Sequence, residues 1–128
     1  MPLSKIFGGS FAVTEKALDL RATRQGLIQS NIANISTPGY TVQDFNFKKV
    51  MERTIAAQPT LAVTNPNHIE PEPVALAESL TFSSGKRPVD LDEEMLKLSE
   101  NQLMYQIGAR LMSKEITGIR YAIDEGGK

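Results

Sequence analysis

The chain has 128 residues with 14 basic and 15 acidic side chains, a net charge of -1 and no cysteine. This length suits one domain with a modest core. The balanced charge argues against a nucleic-acid binder, which needs a basic face, and the missing cysteine excludes disulfides, thiol nucleophiles and cysteine-based zinc sites.

Residues 1–10, MPLSKIFGGS, are predicted to form a flexible N-terminus. They lack the apolar region and the cleavage site of a secretory signal peptide. No run in the chain approaches the roughly 18 apolar residues of a membrane span. We therefore expect a chain that stays in the cytosol or is exported by a route that removes no signal peptide.

Residues 11–40 are predicted to form an N-terminal helix that ends in a turn. Up to residue 35, apolar side chains fall on one side of a helical wheel and polar ones on the opposite arc. The apolar stripe consists of Phe11, Ala17, Leu18, Leu20, Leu27, Ile28, Ile32 and Ile35. Within it, the predicted helix seam or interface consists of Leu18, Ile28 and Ile32.

The predicted helix ends in the sequence NIANISTPGY. Its two asparagines are poor helix-interior residues, but their amides can bond nearby backbone and finish a helix. The threonine is pushed towards an extended conformation by the following proline, and the Pro-Gly pair suits a type II turn. The tyrosine ring can pin the turn against a helix. The candidate assembly motif is Asn31, Asn34, Thr37, Pro38, Gly39 and Tyr40.

Residues 41–90 are predicted to form an irregular middle segment, because they contain five of the seven prolines and show no helical periodicity. Short β patches are expected at Tyr40 to Phe47 and at Leu61 to Thr64, and Ser83 to Arg87 has the composition of a turn. Such a long stretch with little regular structure is uncommon inside a compact domain. We expect a functional insertion or a segment that orders on a partner.

Residues 91–128 are predicted to form a C-terminal heptad helix. Its seam residues recur in steps of three and four over about four heptads, as in a coiled coil. Asp90 followed by Glu93 resembles a capping box at the helix start. Gln102 and Ala109 are the weak seam positions. The large apolar positions, assigned to the seam or interface, are Met95, Leu98, Tyr105, Met112, Ile116, Ile119 and Ile123.

The predicted fold class is mainly α: two long amphipathic terminal helices packed as a coiled-coil-like pair, joined by an irregular proline-rich middle with at most short β patches. Two helices cannot cover every apolar position. Those lying partly off the second seam are Leu96, Leu103, Ile107 and Leu111. A four-helix arrangement would cover them, with the extra helices supplied by other copies or partners. The sequence therefore predicts assembly.

Candidate chemistry is sparse. His68 is the only histidine, and no nucleophile motif accompanies it. The acidic residues at 90–94 lack the alternating ligands and the glycine of a calcium loop, so helix capping explains them better. We predict no enzyme activity, no cofactor and no metal. A small hydrolase that uses His68 is the least favoured alternative.

Two segments resemble bacterial flagellar rod proteins. Ser30 to Tyr40 matches the signature SN-x-AN-x-x-TPGY, which flagellar rod and hook proteins carry at the end of their first long helix. Val89 to Met95, VDLDEEM, and Asn101 to Gln106, NQLMYQ, resemble the FlgB family of proximal rod proteins more specifically. One departure precedes the last helix, where the family's Gly-Asn-x-Val-Asp pattern is replaced by GKRPVD.

The resemblance implies a structural subunit of the flagellar basal body, which forms the proximal rod of the motor drive shaft by helical polymerisation. The implied partners are other copies, the rod proteins FlgC, FlgF and FlgG, the FliE adaptor and the flagellar type III export gate. The implied location is the rod in the periplasmic space, after export without a cleaved signal peptide. We expect no nucleic acid, no small-molecule substrate and no membrane-spanning segment.

We further expect the terminal helices to pack as an antiparallel pair, with their outer stripes buried against neighbouring subunits. The free chain should then be a partly disordered monomer, because uncovered stripes do not offset chain entropy. Two alternatives stay open: another rod protein of the FlgC type, and a cytosolic coiled-coil adaptor that binds helical partners.

Overall fold

The computed structural model describes residues 3–56, 83–84 and 87–127. Helices account for most of these residues, so the predicted mainly α fold class is confirmed. The predicted patch at Leu61 to Thr64 and the candidate His68 lie outside the described residues.

The described elements are three helices and two short strands. Helix α1 spans Leu3–Ala33, α2 spans Phe47–Ala56 and α3 spans Leu91–Gly126. Strand β1, Gln43–Asp44, pairs antiparallel with β2, Ser83–Ser84. None of the helices in the described part of the chain offers an apolar stretch that would span a bilayer.

Helices α1 and α3 pack side by side in opposite directions. Asn31, near the end of α1, bonds to Glu94 near the start of α3 at 2.9 Å. Further along, Leu18 lies against Gly108. Residue numbers fall along α1 as they rise along α3, so the expected antiparallel pair is present.

A small apolar core lies where β1 and α2 return to α1. Its fully enclosed side chains are Leu20, Phe45 and Val50, with exposures of 0%, 3% and 4%. Leu27, Phe47 and Met51 pack around them. The core therefore lies along the second half of α1, towards the corner end of the helix pair.

Helix α1 begins at Leu3, whereas the sequence predicted a helix from residue 11. The glycines before residue 11 lower helix propensity, but packing against a long partner helix can override propensity.

Helix α2 lies in the segment predicted to be irregular, and this prediction was wrong for residues 47–56. Asn46 caps the helix, since its Oδ1 accepts from the N–H of Lys49 at 3.1 Å. Val50 supplies the buried face. The sequence feature that could have predicted this helix is Asn46 itself, because asparagine is favoured at the N-cap position. Similarly, Ser83–Ser84 forms a strand where a turn was expected.

Asp90 caps α3 as predicted, since its Oδ1 accepts from the N–H groups of Asp92 and Glu93 at 3.0 and 3.3 Å. The Glu93 side chain, which would form the second part of the predicted capping box, has other partners. The Glu93 carboxylate instead accepts from Lys97 and Arg87 at 2.9 and 3.0 Å.

The face of α3 that contacts α1 lies one residue earlier than the predicted seam. Glu94 and Asn101 are each 1% exposed. Met95, the seam residue next to Glu94, is 50% exposed, and Gln102 is also exposed. The spacing of apolar residues predicted the wrong contact face, because the buried residues at the centre of the actual contact with α1, Glu94 and Asn101, are polar.

Some of the predicted seam residues are buried or half-buried, and others are exposed. On α1, Ile28 is buried and Leu18 and Ile32 are half-buried. The half-buried members on α3 are Leu98, Met112 and Ile119. The exposed members on α3 are Met95, Tyr105, Ile116 and Ile123.

Candidate functional site

The corner, residues 31–44, is the place where the chain leaves α1, turns and enters β1. At its centre Asn31 is 0% exposed. Its Nδ2 donates to the carbonyl of Gln43 at 2.8 Å and to Glu94 Oε2 at 2.9 Å. Its Oδ1 accepts from the N–H of Gln43 and from the Tyr40 hydroxyl, both at 3.0 Å. A carboxamide has two donors and two acceptor sites, so its full bonding capacity is used.

The Asn31 amide pairs with both backbone groups of Gln43, as a residue of a neighbouring strand would. Gln43 belongs to β1, which pairs with β2 at Ser84. Free strand edges are templates for unwanted pairing. The Asn31 side chain therefore covers backbone of β1 and ties it to the end of α1.

Asn34 has a local role that contrasts with that of Asn31. Its Nδ2 donates to the carbonyl of Ser30 at 2.8 Å, and its own carbonyl accepts from the N–H of Thr37 at 2.9 Å. The Thr37 hydroxyl donates to Asn34 Oδ1 at 3.3 Å. These bonds end the helix at an exposed surface. The sequence predicted this role for both asparagines, and Asn34 has it.

The turn after Asn34 has the geometry expected from its sequence. The N–H of Tyr40 donates to the carbonyl of Thr37 at 3.2 Å, and Gly39 has φ 77°. These are features of a type II turn, in which the third residue needs a positive φ. The turn directs the Tyr40 hydroxyl back to Asn31, which explains why the motif extends beyond Pro38 and Gly39.

Charged side chains surround the Asn31 network. Both oxygens of Asp44 accept from Arg24, each at 3.0 Å. Lys97 Nζ lies 2.9 Å from both Glu93 and Glu94 and 3.9 Å from Asp44. The buried Glu94 carboxylate is thus shared between Asn31 and Lys97, which joins α1, β1 and α3.

The ion pairs favour the charged forms of Arg24, Lys97 and Glu93. The hydrogen bond to Asp44 raises the pKa of Arg24. Burial alone would lower the pKa of Lys97, but hydrogen bonds to Glu93 and Glu94 outweigh burial and raise it. Hydrogen bonds from Lys97 and then Arg87 lower the pKa of Glu93.

A second polar contact joins α1 and α3 beyond the corner. Asn101 Nδ2 donates to the carbonyl of Arg21 at 2.9 Å and to Gln25 Oε1 at 2.8 Å. The Arg21 guanidinium lies 4.0 Å from the centre of the Phe47 ring on α2. Burial, followed by the neighbouring Arg24, lowers the pKa of Arg21.

The corner and the Asn101 contact act as a structural joint between α1, β1 and α3. Polar groups of the corner bond to one another and link three elements, and within the described ranges no cluster of His, Asp or Glu could hold a metal ion. The sequence identified Asn31 and Tyr40 but missed Glu94 and Asn101. Both missed residues lie within the quoted VDLDEEM and NQLMYQ segments, where exposed and buried polar residues look alike.

Curated proteins similar to this chain carry one description. The chain is 33% identical to the flagellar basal body rod protein FlgB of Yersinia enterocolitica, over 92% of this chain and 96% of the relative. It is 33% identical to FlgB of Salmonella typhimurium over 88% and 91%, and 34% identical to FlgB of Cereibacter sphaeroides over 91% and 95%. No protein-family model matches the chain.

Relatives at this identity and coverage define the class, the structural rod proteins of the bacterial flagellar basal body. Within that class, the chain belongs to the FlgB family. The predicted function, a structural subunit of the proximal rod that assembles with other rod components, is thereby confirmed. FlgB is favoured over the FlgC-type and adaptor alternatives.

Proposed function

We propose that the corner fixes the direction in which the chain leaves the helix pair, while the outer face of α3 packs against neighbouring rod subunits. We define the outer face as Leu96, Leu103, Ile107 and Leu111. Their exposures are 69%, 57%, 45% and 54%. This exposed apolar face is the observation that carries the proposal.

The outer face is a group of neighbouring apolar side chains and not a set of isolated exposed ones. Its members recur at helical spacing, so they form one continuous stripe on α3. Large contiguous apolar patches on soluble proteins commonly mark interaction sites. Burying each side chain would contribute about 1.5–3 kcal/mol before ordering costs. Contact with neighbouring helices is the arrangement that uses this stripe.

The implied neighbours are other copies of the chain, FlgC, FlgF, FlgG and FliE, with passage through the flagellar type III export gate. The location proposed is the rod in the periplasmic space, reached without removal of a signal peptide. We assign no enzyme activity to the chain. Membership of the FlgB family and the joint-like corner support these assignments.

The free chain is proposed to be partly disordered, with order concentrated around the corner. The apolar core and the Asn31 network lie there, whereas the outer face has exposed side chains that gain nothing without neighbours. Circular dichroism at micromolar concentration should show incomplete helicity and a broad thermal transition. Full helicity with a single cooperative transition would contradict this proposal.

The assembly role is tested by placing charge on the outer face. In a strain that lacks this protein, Leu103→Asp with Leu111→Asp should abolish swimming and leave no rods in isolated basal bodies. The matched control is Gln102→Asp with Gln106→Asp, at exposed polar positions of the same helix. Helicity of the free chains should be similar for both variants.

Normal rods assembled from the Leu103 and Leu111 double variant would refute the role of the outer face. Loss of rods with both pairs of substitutions would show that added charge anywhere on α3 is harmful. That outcome would also count against a specific face.

A further inference from the structure

The face of α3 that contacts α1 carries a repeated departure from apolar packing. Positions 94, 101, 108 and 115 are seven residues apart, so they lie along one line of the helix. We call them the register face: Glu94, Asn101, Gly108 and Glu115. The line contains two buried polar residues, one glycine and one half-buried carboxylate, with no large apolar residue.

Three of these positions contact different features of α1. Glu94 accepts from Asn31, and Asn101 donates to the carbonyl of Arg21. Gly108 faces the Leu18 side chain, and a Cβ atom at position 108 would lie 3.0 Å from Leu18 Cδ2. Each contact therefore requires a particular partner opposite it.

A shift of α3 by one heptad would break all three contacts. Leu18 would then face Asn101 or Glu115 instead of the space that Gly108 leaves. Asn31 would lose its bond to Glu94, and Asn101 would lose its bonds to Arg21 and Gln25 while remaining in the helix contact. Buried polar groups without partners are strongly unfavourable, and single buried polar residues are known to fix register in coiled coils.

The outer face has no comparable selectivity. Leu96, Leu103, Ile107 and Leu111 are all apolar, and aliphatic side chains accept many helical partners at many alignments. A chain whose two helix faces were both apolar could pair its α3 with α1 of a neighbour. A polar face with fixed partners instead favours one alignment of α3 on α1.

We propose that the register face, and not the apolar positions of α3, specifies the single antiparallel alignment in which α3 packs on α1. This inference goes beyond the assembly role and is tested on isolated full-length chain. Failure of rod assembly would therefore leave it unaffected.

The absence of cysteine from the sequence allows paired cysteines to report the alignment. Leu18→Cys with Gly108→Cys reports the observed register. A Cβ atom at position 108 would lie 3.6 Å from Leu18 Cγ, whose place the Sγ atom of the cysteine at position 18 takes, so a rotation of the side chains brings the two sulfurs together. Leu18→Cys with Glu115→Cys reports a shift by one heptad. Under mild oxidation, the first pair should form an intrachain disulfide at about tenfold higher yield.

Replacing the polar contacts with leucine should relax the register. Glu94→Leu with Asn101→Leu should raise the ratio of shifted to observed disulfide by about tenfold. The matched control is Ser99→Leu with Gln102→Leu, at exposed positions of the same helix, which should leave the ratio unchanged.

Asn101→Leu alone provides a milder variant, because the Asn31–Glu94 bond and the apolar core remain. We expect its ratio to rise by about threefold with helicity unchanged by circular dichroism. An unchanged ratio in this variant would overturn the proposal. So would failure of the observed-register pair to form in the otherwise unaltered chain.

Discussion

The two ends of the long helix pair are built differently. At the corner end, Asn31 and Glu94 are 0% and 1% exposed and Phe45 is 3% exposed. At the distal end of α3, Ile116, Tyr121 and Ile123 are 51%, 67% and 68% exposed. One end is closed by the chain itself, and the other presents apolar side chains to its surroundings.

The difference follows from where the rest of the chain packs. Strand β1 and helix α2 both return to α1 near Leu20, where they complete a core. Among the described residues, no further element lies along the distal part of α3 except α1. A rod subunit organised in this way folds at one end and leaves the other for neighbours.

The largest effect on stability is expected when core volume is removed at the corner end. Phe45→Ala should lower the free energy of unfolding by about 3–5 kcal/mol, because a buried aromatic ring leaves a cavity. Ile123→Ala, at a position of the distal end that is 68% exposed, should change it by less than about 0.5 kcal/mol. Urea unfolding followed by circular dichroism measures both, and equal losses would show that the two ends are not distinct.

The next largest effect is expected from the corner asparagines. Asn31→Ala should cost about 2–3 kcal/mol, because Gln43 backbone groups and Glu94 lose buried partners. Asn34→Ala, which breaks exposed bonds, should cost about 0.5–1 kcal/mol. The same urea experiment compares them.

The two asparagines together test the assembly role of the corner. Replacing both with alanine should reduce rods in isolated basal bodies more than it reduces helix content of the free chain. A parallel loss of both would mean that Asn31 and Asn34 act only as a helix stop.

Glycine substitutions should give effects of opposite sign. Gly39→Ala should destabilise by about 1–2 kcal/mol, because Gly39 has φ 77° and L-residues resist that conformation. Gly26→Ala should stabilise by about 0.5–1 kcal/mol, since Gly26 lies within α1 and a Cβ there meets nothing within 4 Å. Thermal midpoints of the two variants provide the measurement. Destabilisation by Gly26→Ala would indicate that this face of α1 needs a close approach.

The smallest effect concerns pH and the exposed ion pairs of the corner end. Hydrogen bonds from Lys97 and Arg87 hold the pKa of Glu93 below its usual 4.5 in the folded chain. The carboxylate therefore adds stability above the unfolded pKa, and this contribution is lost as pH falls through the lowered pKa. Glu93→Gln should flatten the acid limb of stability against pH. Glu15→Gln, on an exposed part of α1, should not.

The two motif asparagines show how far local sequence reasoning reaches. The bonds of Asn34, the turn at Gly39 and the cap at Asp90 all involve partners within a few residues, so sequence rules were sufficient. Asn31 was expected to bond nearby backbone, but its partners include Gln43 and Glu94. Nothing local indicates that Glu94, 63 positions away, lies opposite it.

The register of α3 shows the complementary limit. Apolar periodicity indicated a helix with a seam through Met95 and Ile116, but those side chains are exposed. A seam inferred from apolar spacing is correct only if the apolar residues of α3 face α1 of the same chain. In an assembling subunit, they can face other chains, and buried polar residues then mark the internal contact.

The sequence by itself determined two long helices, a corner between the first helix and the middle segment, and membership of a rod family. These features depend on periodicity and short-range hydrogen bonds, which neighbouring residues encode. Only the tertiary structure decided that Glu94 and Asn101 face α1, that α2 completes the core and that the predicted seam residues Met95 and Ile116 are exposed. Those outcomes depend on which distant groups satisfy each other, because a buried polar side chain is stable only where its partners are also placed.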